Sequence, residues 1–159
     1  TRRAARMREY IGVMRRLWSE DTVSFHGEFV NFDLARSFPK PANGGRVPVI
    51  IGGESAAALT RAAEYGDGWY GFNLGPEEAA ARIALLRSML AGNGRSENNF
   101  EIIVAPFSKP ATPDDSSKYH AAGVNELVIV ASPPEKAADI AAWIESLGRP
   151  WVESAQKLG

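Results

Sequence analysis

The stretch Gly52-Gly53-Glu54-Ser55 has the residue types needed to bind a charged ligand. It follows the apolar run 47–51 and precedes an alanine-rich segment, so it lies between a predicted strand and a predicted helix. Glycine lets a ligand approach the backbone without a Cβ in the way. The free N–H groups at a helix N-terminus favour an anion, most often phosphate, and a serine hydroxyl can donate to a phosphate oxygen.

Two interpretations of this stretch remain open at this point. In the first, it binds phosphate through backbone amides, and the Glu54 side chain points away because a carboxylate repels phosphate. In the second, it is a tight turn in which Ser55 is only the N-cap of the following helix. Short glycine motifs are consistent with both.

Aromatic residues end the next predicted strand, and a basic residue follows the strand after it, near the same end of the sheet. Trp69 and Tyr70 either line a cofactor or substrate pocket or pack under a loop, as aromatic residues at strand ends often do. Lys109 follows a later strand and could reach a polyanionic ligand. A solvated loop lysine is the interpretation we favour for it.

Residues for other kinds of catalysis are scarce. The chain has no cysteine, and its two histidines, His26 and His120, are far apart and have no partner at metal-ligand spacing. We expect no metal site and interpret both histidines as non-catalytic. No Ser-His-Asp set can be assembled, so the catalytic residues are unknown and a cofactor would have to supply any chemistry.

The charge balance argues against polyanionic partners. The 159 residues include 18 basic and 19 acidic ones, which gives a net charge of -1. Neither nucleic acid nor an anionic membrane is therefore expected as a partner. No apolar run is long enough to cross a bilayer, and a cytoplasmic location is the default expectation.

Strands and helices alternate from residue 47 onward, and these elements must position the candidate residues. We predict strands at 47–51, 69–72, 100–105 and 126–131, and helices at 55–65, 76–92, 114–122 and 134–147. Gly66 and Gly123 are predicted to close helices, Gly66 in the left-handed conformation. This order predicts an α/β fold with a parallel sheet of about four βα units, half of an eightfold barrel.

The segment before residue 47 has a different pattern. An amphipathic helix is predicted from Met7 to Trp18, then a hairpin or irregular extended segment at 23–32, and a loop at 37–48. We predict a single domain over 1–159, with a helix plus extended insertion at 1–46, βα units at 47–147 and a tail at 148–159. The tail is expected to be an extra turn or partly disordered.

Several motifs in order make the chain resemble a known family. The stretches "LWSEDTVSFHGEFVNF", "FPKP" and "VPVIIGGESAAALTRAAEYGDGWYG" are similar to the C-terminal half of the bacterial luciferase-like monooxygenases. These include FMN-dependent luciferases and deazaflavin (F420)-dependent oxidoreductases. The resemblance implies a TIM barrel, usually dimeric, whose cofactor lies at the C-terminal face of the strands. The "GDGWY" pattern favours F420 over FMN.

The resemblance also assigns site residues. It implies that the loop formed by Gly52, Gly53, Glu54 and Ser55 holds the cofactor phosphate. Trp69 is a further candidate cofactor-binding residue because of its position in the next strand, near the same face. Luciferases carry a hydroxyl residue one turn later, where this chain has Ala58, so one side-chain contact would be missing.

The resemblance implies a flavin- or F420-dependent oxidoreductase or monooxygenase that lacks part of its active site. In the family, the first four strands carry the wall under the cofactor ring and most of the substrate pocket. A half barrel exposes strand edges, so we expect a homodimer or pairing with an N-terminal half. The alternatives are a non-catalytic half barrel that binds a phosphate ligand or serves in assembly, and an inactive fragment.

Overall fold

The structure, a computed structural model, describes residues 2–158, which form two compact units that divide between Val49 and Ile50. Each unit is described by itself below. The expectation of a single domain stays a prediction.

The first unit contains one helix and a hairpin. Helix α1 spans Arg2–Ser19, and strands β1 (Val23–His26) and β2 (Asn31–Ala35) pair antiparallel. The predicted helix and hairpin are confirmed, although the helix begins five residues earlier than its apolar pattern indicated.

The side chain of Glu9, in α1, organises the turn of this hairpin. Its carboxylate accepts hydrogen bonds from the amides of Glu28, Phe29 and Val30 at 3.0, 2.8 and 2.7 Å. A Cβ on Gly27 would lie 2.5 Å from the same carboxylate, which explains the glycine. The turn is therefore built on the helix and not only on its own two strands.

The proline-rich loop also closes back onto α1. Lys40 Nζ donates to the carbonyls of Leu17 and Glu20 at 2.7 and 2.5 Å. These carbonyls lie at the C-terminal end of the helix and have no intrahelical partner. A cation is favoured there by the helix dipole as well.

The second unit consists of alternating parallel strands and helices. Its elements, in order, are β3 (Ile50–Gly52), α2 (Ala56–Tyr65), β4 (Gly68–Phe72), α3 (Pro76–Gly92), β5 (Glu101–Ala105), α4 (Ser116–Ala122), β6 (Glu126–Leu127) and α5 (Ile140–Gln156). The sheet order is β3-β4-β5-β6 and all neighbours are parallel. The predicted α/β fold with a parallel sheet is confirmed.

The two faces of this sheet differ in burial. Ile51, Trp69 and Ile102 are in register on one face and are 0 to 3% exposed. This face packs on the helices, whose buried side chains include Leu59, Ala62, Ala63, Ile83, Leu86 and Leu90. The register row Gly52, Tyr70 and Ile103 projects to the opposite face and is exposed or half-buried. We call this second side the open face.

The predicted left-handed conformation of Gly66 is wrong. Its φ and ψ are -75° and 155°, which is extended backbone. Glycine is needed there for space, because a Cβ would lie 2.9 Å from the carbonyl of Ala62. Arg95 takes the place of a Schellman turn: its guanidinium donates to the carbonyls of Ala62, Ala63 and Gly66 at 3.3, 2.9 and 2.7 Å. Gly123, at φ 96°, does close α4 as predicted.

The C-terminal helix also differs from the prediction. Helix α5 begins at Ile140 and continues to Gln156, through Pro150, so the tail predicted as a turn or disordered segment is helical up to that residue. Proline removes one intrahelical hydrogen bond, but the segment beyond it gains tertiary partners. Ser154 Oγ donates to the carbonyl of Pro113 at 2.7 Å. The last predicted strand is shorter than expected, with ladder pairing only at Glu126 and Leu127.

Candidate functional site

Gly53 forms the turn that leads out of β3 at its carboxyl end. Its φ is 115°, a backbone conformation that residues other than glycine rarely adopt. A Cβ there would also lie 3.0 Å from the Cβ of Ala58. The turn is fixed on both sides, because Gly53 N donates to the carbonyl of Tyr70 at 3.2 Å and Gly53 O accepts from Trp69 Nε1 at 2.8 Å.

Ser55 begins α2 as its N-cap. Its Oγ accepts a hydrogen bond from the amide of Ala58 at 3.2 Å. A hydroxyl that accepts one hydrogen bond still has its own proton to donate. The amides of Ala56 and Ala57, in the first turn, have no acceptor within their helix. The N-cap interpretation and the phosphate interpretation therefore describe the same geometry and do not compete.

Glu54 links this turn to the next strand. Its Oε1 accepts a hydrogen bond from the amide of Phe72 at 2.7 Å. The carboxylate is thus occupied by the last residue of β4, which leaves the backbone of the turn as the donor surface.

Trp69 lies on the face of the sheet that packs on the helices and is 0% exposed. Its ring sits beneath the turn and holds Gly53 by the hydrogen bond from Nε1. Tyr70, the next residue, is the one that projects to the open face. Trp69 therefore contacts the turn through Gly53 and does not reach the open face, and cofactor binding by the five candidate residues stays a prediction.

Asn73 directly follows β4, at the same end of the sheet as the Gly53 turn, and the sequence analysis did not identify it as a candidate. Its φ is 59°, and its amide donates to the carbonyl of Ala105 at 2.6 Å. Its Oδ1 accepts from both the amide and the hydroxyl of Ser108, at 2.9 and 2.7 Å. Asparagine after a strand end is a typical residue for a left-handed backbone, and this was the available signal.

Lys109 is paired with an acidic residue. Its Nζ donates to Glu78 Oε1 at 2.9 Å, and the other oxygen of Glu78 accepts from the amide of Gly75 at 2.8 Å. The Gly75 amide and the Lys109 ammonium lower the pKa of Glu78 below its usual value. The lysine is therefore directed towards the start of α3.

The histidines lie apart from the turn in sequence and have ordinary surroundings. His26 Nε2 lies 3.1 Å from Asp33 Oδ1, and both side chains are exposed. His120 is exposed on α4. Across residues 2–158, no cluster of three or more His, Asp or Glu side chains is arranged to hold a metal ion. The helices in this range are also too short or too polar to span a membrane.

The residues at the turn fit a phosphate group. The left-handed glycine gives close backbone access, the first-turn amides of α2 point outward, and the exposed Ser55 contributes a hydroxyl. Glu54, the acidic residue next to Ser55, accepts a hydrogen bond from the amide of Phe72.

Comparison with known proteins gives one family and several relatives. A family model described as luciferase-like monooxygenase matches residues 1–148. A protein of Mycobacterium tuberculosis is 32% identical over 149 residues, which cover 92% of this chain and 50% of the relative. An FMNH(2)-dependent dimethylsulfone monooxygenase of Pseudomonas putida is 30% identical over 94 residues, which cover 59% of this chain and 26% of the relative. The chain spans about half the length of the first of these relatives.

Solved structures share the fold. An F420-dependent secondary alcohol dehydrogenase, in complex with an F420-acetone adduct, matches with a TM-score of 0.68 at 15% identity. The match covers 90% of this chain and 60% of that one. The coenzyme F420-dependent tetrahydromethanopterin reductase of Methanopyrus kandleri matches with a TM-score of 0.56 at 16% identity, over 98% of this chain and 47% of the reductase. These partial overlaps confirm the predicted half barrel.

Proposed function

The chain belongs to the luciferase-like monooxygenase family, and from this premise we propose that it supplies the phosphate-binding half of an F420- or FMN-dependent oxidoreductase or monooxygenase. The observation that carries the proposal is the turn at Gly53 and Ser55. It combines a left-handed glycine, a strand that ends there and a capped helix that begins there. Ligands of α/β barrels bind at this end of the strands.

Each residue of the turn has a separate part in the proposal. Gly53 leaves room for the phosphate, Ser55 donates its hydroxyl proton, and the first-turn amides of α2 add backbone donors. Glu54 and Trp69 hold the turn in place from its two sides. The cofactor supplies the hydride-transfer or oxygen chemistry when bound, and the protein contributes binding and orientation.

The choice between the two cofactors rests on the relatives. The two similar structures are named for F420, and the dimethylsulfone monooxygenase is named for FMNH(2). The "GDGWY" pattern led us to favour F420, and we keep that preference as part of the proposal. A cytoplasmic location belongs to it as well.

The proposal includes a partner for the open face. Tyr70 and Ile103 on this face are only half-buried, and β3 and β6 are the two edge strands of the sheet. Unpaired strand edges favour association. The chain spans half of a relative's length, so we expect pairing with an N-terminal set of βα units or with a second copy.

A titration with phosphate-bearing and phosphate-free flavins tests the proposal. The chain is titrated with F420, FMN and riboflavin, and binding is followed by absorbance and flavin fluorescence. Ser55→Ala should weaken FMN binding by about 1 kcal/mol, the usual size for one hydrogen bond, and leave riboflavin binding unchanged. If the variant binds F420 and FMN as tightly as the wild type, Ser55 is not a phosphate ligand.

The second candidate is a non-catalytic half barrel that binds a phosphate ligand or serves in assembly, and the half-buried open face favours it. An assay for reduction or oxidation of the bound cofactor distinguishes the non-catalytic half barrel from the oxidoreductase. A chain that binds F420 or FMN, alone or paired, and shows no oxidoreductase activity supports the non-catalytic function. Sizing of the purified chain tests the partner: a stable monomer that does not aggregate contradicts the edge argument.

A further inference from the structure

Phe72 and Phe107 form an aromatic pair at the same end of the sheet as the Gly53 turn. We propose that this pair is a binding contact for a planar, uncharged ring. The inference rests on the proposed function, because it takes the turn as the anchor for the charged end of a ligand. It adds a subsite and the chemistry that the subsite recognises.

The geometry of the pair suits a third ring. The ring centroids are 5.1 Å apart and the planes are inclined by 32°. Contact between the two rings leaves much of each uncovered: Phe72 is 44% exposed and Phe107 is 56% exposed. Aromatic rings gain from offset or inclined contact with other rings beyond the burial of their area.

The backbone on both sides of the pair is held in place. The amide of Phe72 donates to Glu54, the acidic residue of the turn, at 2.7 Å. The residue after Phe72 is Asn73, whose Oδ1 accepts two hydrogen bonds from Ser108, the residue after Phe107. Pre-organised groups lose less conformational entropy when they bind a ligand. Exposed aromatic residues on a loop without such hydrogen bonds would have to be ordered when a ligand binds.

The turn and the pair are close enough for one ligand. Gly52 is in register with Tyr70 on the neighbouring strand, and Phe72 lies two residues further along that strand. Strand spacing and rise per residue place the Cα atoms of Gly52 and Phe72 about 8 Å apart. Phe72 also shares the open face with Tyr70, because alternate residues of a strand project to the same side.

A planar ring at this subsite could come from either of two sources. It could be part of the molecule whose phosphate lies at the turn, or it could be a separate ring-bearing substrate. Both present the same chemistry to the pair, and competition between flavins separates them.

The test uses the whole chain and three probes: FMN, riboflavin and inorganic phosphate. Phe72→Leu and Phe107→Leu keep an apolar side chain of similar size and remove the aromatic face. Each should weaken riboflavin and FMN binding about two- to tenfold and leave inorganic phosphate binding unchanged. Leu85→Ala is the matched control, since Leu85 is a comparably exposed apolar side chain (38%) on α3, and it should bind all three probes as the wild type does. Thermal unfolding of each variant confirms that it folds.

The outcomes separate this inference from the proposed function. Unchanged riboflavin affinity in both leucine variants, or no riboflavin binding by the wild-type chain, overturns the aromatic subsite. A Ser55→Ala variant that binds FMN normally overturns the phosphate site and leaves the riboflavin result standing. If FMN excludes riboflavin, the ring belongs to the phosphate-bearing ligand; if riboflavin binds to FMN-saturated chain and depends on Phe72 and Phe107, it is a second molecule.

Discussion

Replacing Trp69 by phenylalanine should loosen the Gly53 turn without touching the ligand surface. Trp69→Phe removes one hydrogen-bond donor, the indole Nε1. In the wild type this group donates to the carbonyl of Gly53 at 2.8 Å. The ring is 0% exposed, so no water replaces the lost donor directly.

The expected loss of stability has two parts. The orphaned carbonyl and the lost hydrogen bond contribute about 1–2 kcal/mol. The smaller phenylalanine ring leaves a void under the turn, which contributes about 1 kcal/mol more. We therefore expect the free energy of unfolding to fall by about 2–3 kcal/mol, and FMN affinity to fall because the turn that presents the donors is less well fixed.

Urea denaturation followed by circular dichroism measures the first quantity, and flavin fluorescence titration measures the second. Tyr119→Phe is a matched control, because the buried Tyr119 hydroxyl also donates to a backbone carbonyl, that of Leu74, at 2.9 Å. It should lower stability by about 1–2 kcal/mol with no change in FMN affinity. A Trp69→Phe variant as stable as the wild type, within about 0.5 kcal/mol, would refute the role of the indole. A stability loss without an affinity loss would mean that the turn is not the ligand site.

Three further changes test the surroundings of the turn. Gly53→Ala should destabilise the chain by about 1–3 kcal/mol because φ is 115° and Ala58 lies 3.0 Å from the new Cβ; urea denaturation measures this, and an unchanged midpoint contradicts the left-handed geometry. Arg95→Met removes three hydrogen bonds to the carbonyls at the end of α2, and the melting temperature should fall by an amount equivalent to about 1.5–3 kcal/mol; a melting temperature equal to that of the wild type contradicts the capping role. The lowered pKa of Glu78 means that its stabilising contribution is present above its unfolded pKa and is lost as pH falls through its folded pKa. The difference in melting temperature between wild type and Glu78→Gln should therefore shrink from about pH 6 to about pH 3, and a constant difference would contradict this assignment.

The alternation of strands and helices was predictable because each element carries its own signal. Apolar runs bounded by turn residues marked β3 and β5, and the helical periodicity of Ile83, Leu86 and Leu90 marked α3. The Gly53 turn was predictable as well, since two glycines followed by serine at a strand end have few other uses.

What could not be predicted depends on residues that are distant in sequence. The hydrogen bonds from Trp69 to Gly53 and from Phe72 to Glu54 join β4 to the turn after β3. No local sequence pattern shows which face of a strand packs on the helices, so the burial of Trp69 could not be predicted. Arg95 closes α2 from 29 residues beyond Gly66, so the glycine was mistaken for a left-handed cap. Helix α5 continues through Pro150 to Gln156, and Ser154 in this part of the helix donates to the carbonyl of Pro113. The two residues are 41 positions apart, so no local pattern in the tail predicts their contact.

The contact between Glu9 and the hairpin turn has a consequence for hydrogen exchange. Three consecutive amides, at residues 28–30, share one carboxylate acceptor that belongs to α1. Their exchange with deuterium requires the helix and the turn to separate, or the glutamate side chain to release all three. The three amides should exchange at a common rate, and Glu9→Ala should accelerate all of them together while the cross-strand pairs of β1 and β2 keep their protection. The hairpin tip thus reports on the docking of a helix whose contacting side chain lies some twenty residues earlier in the chain.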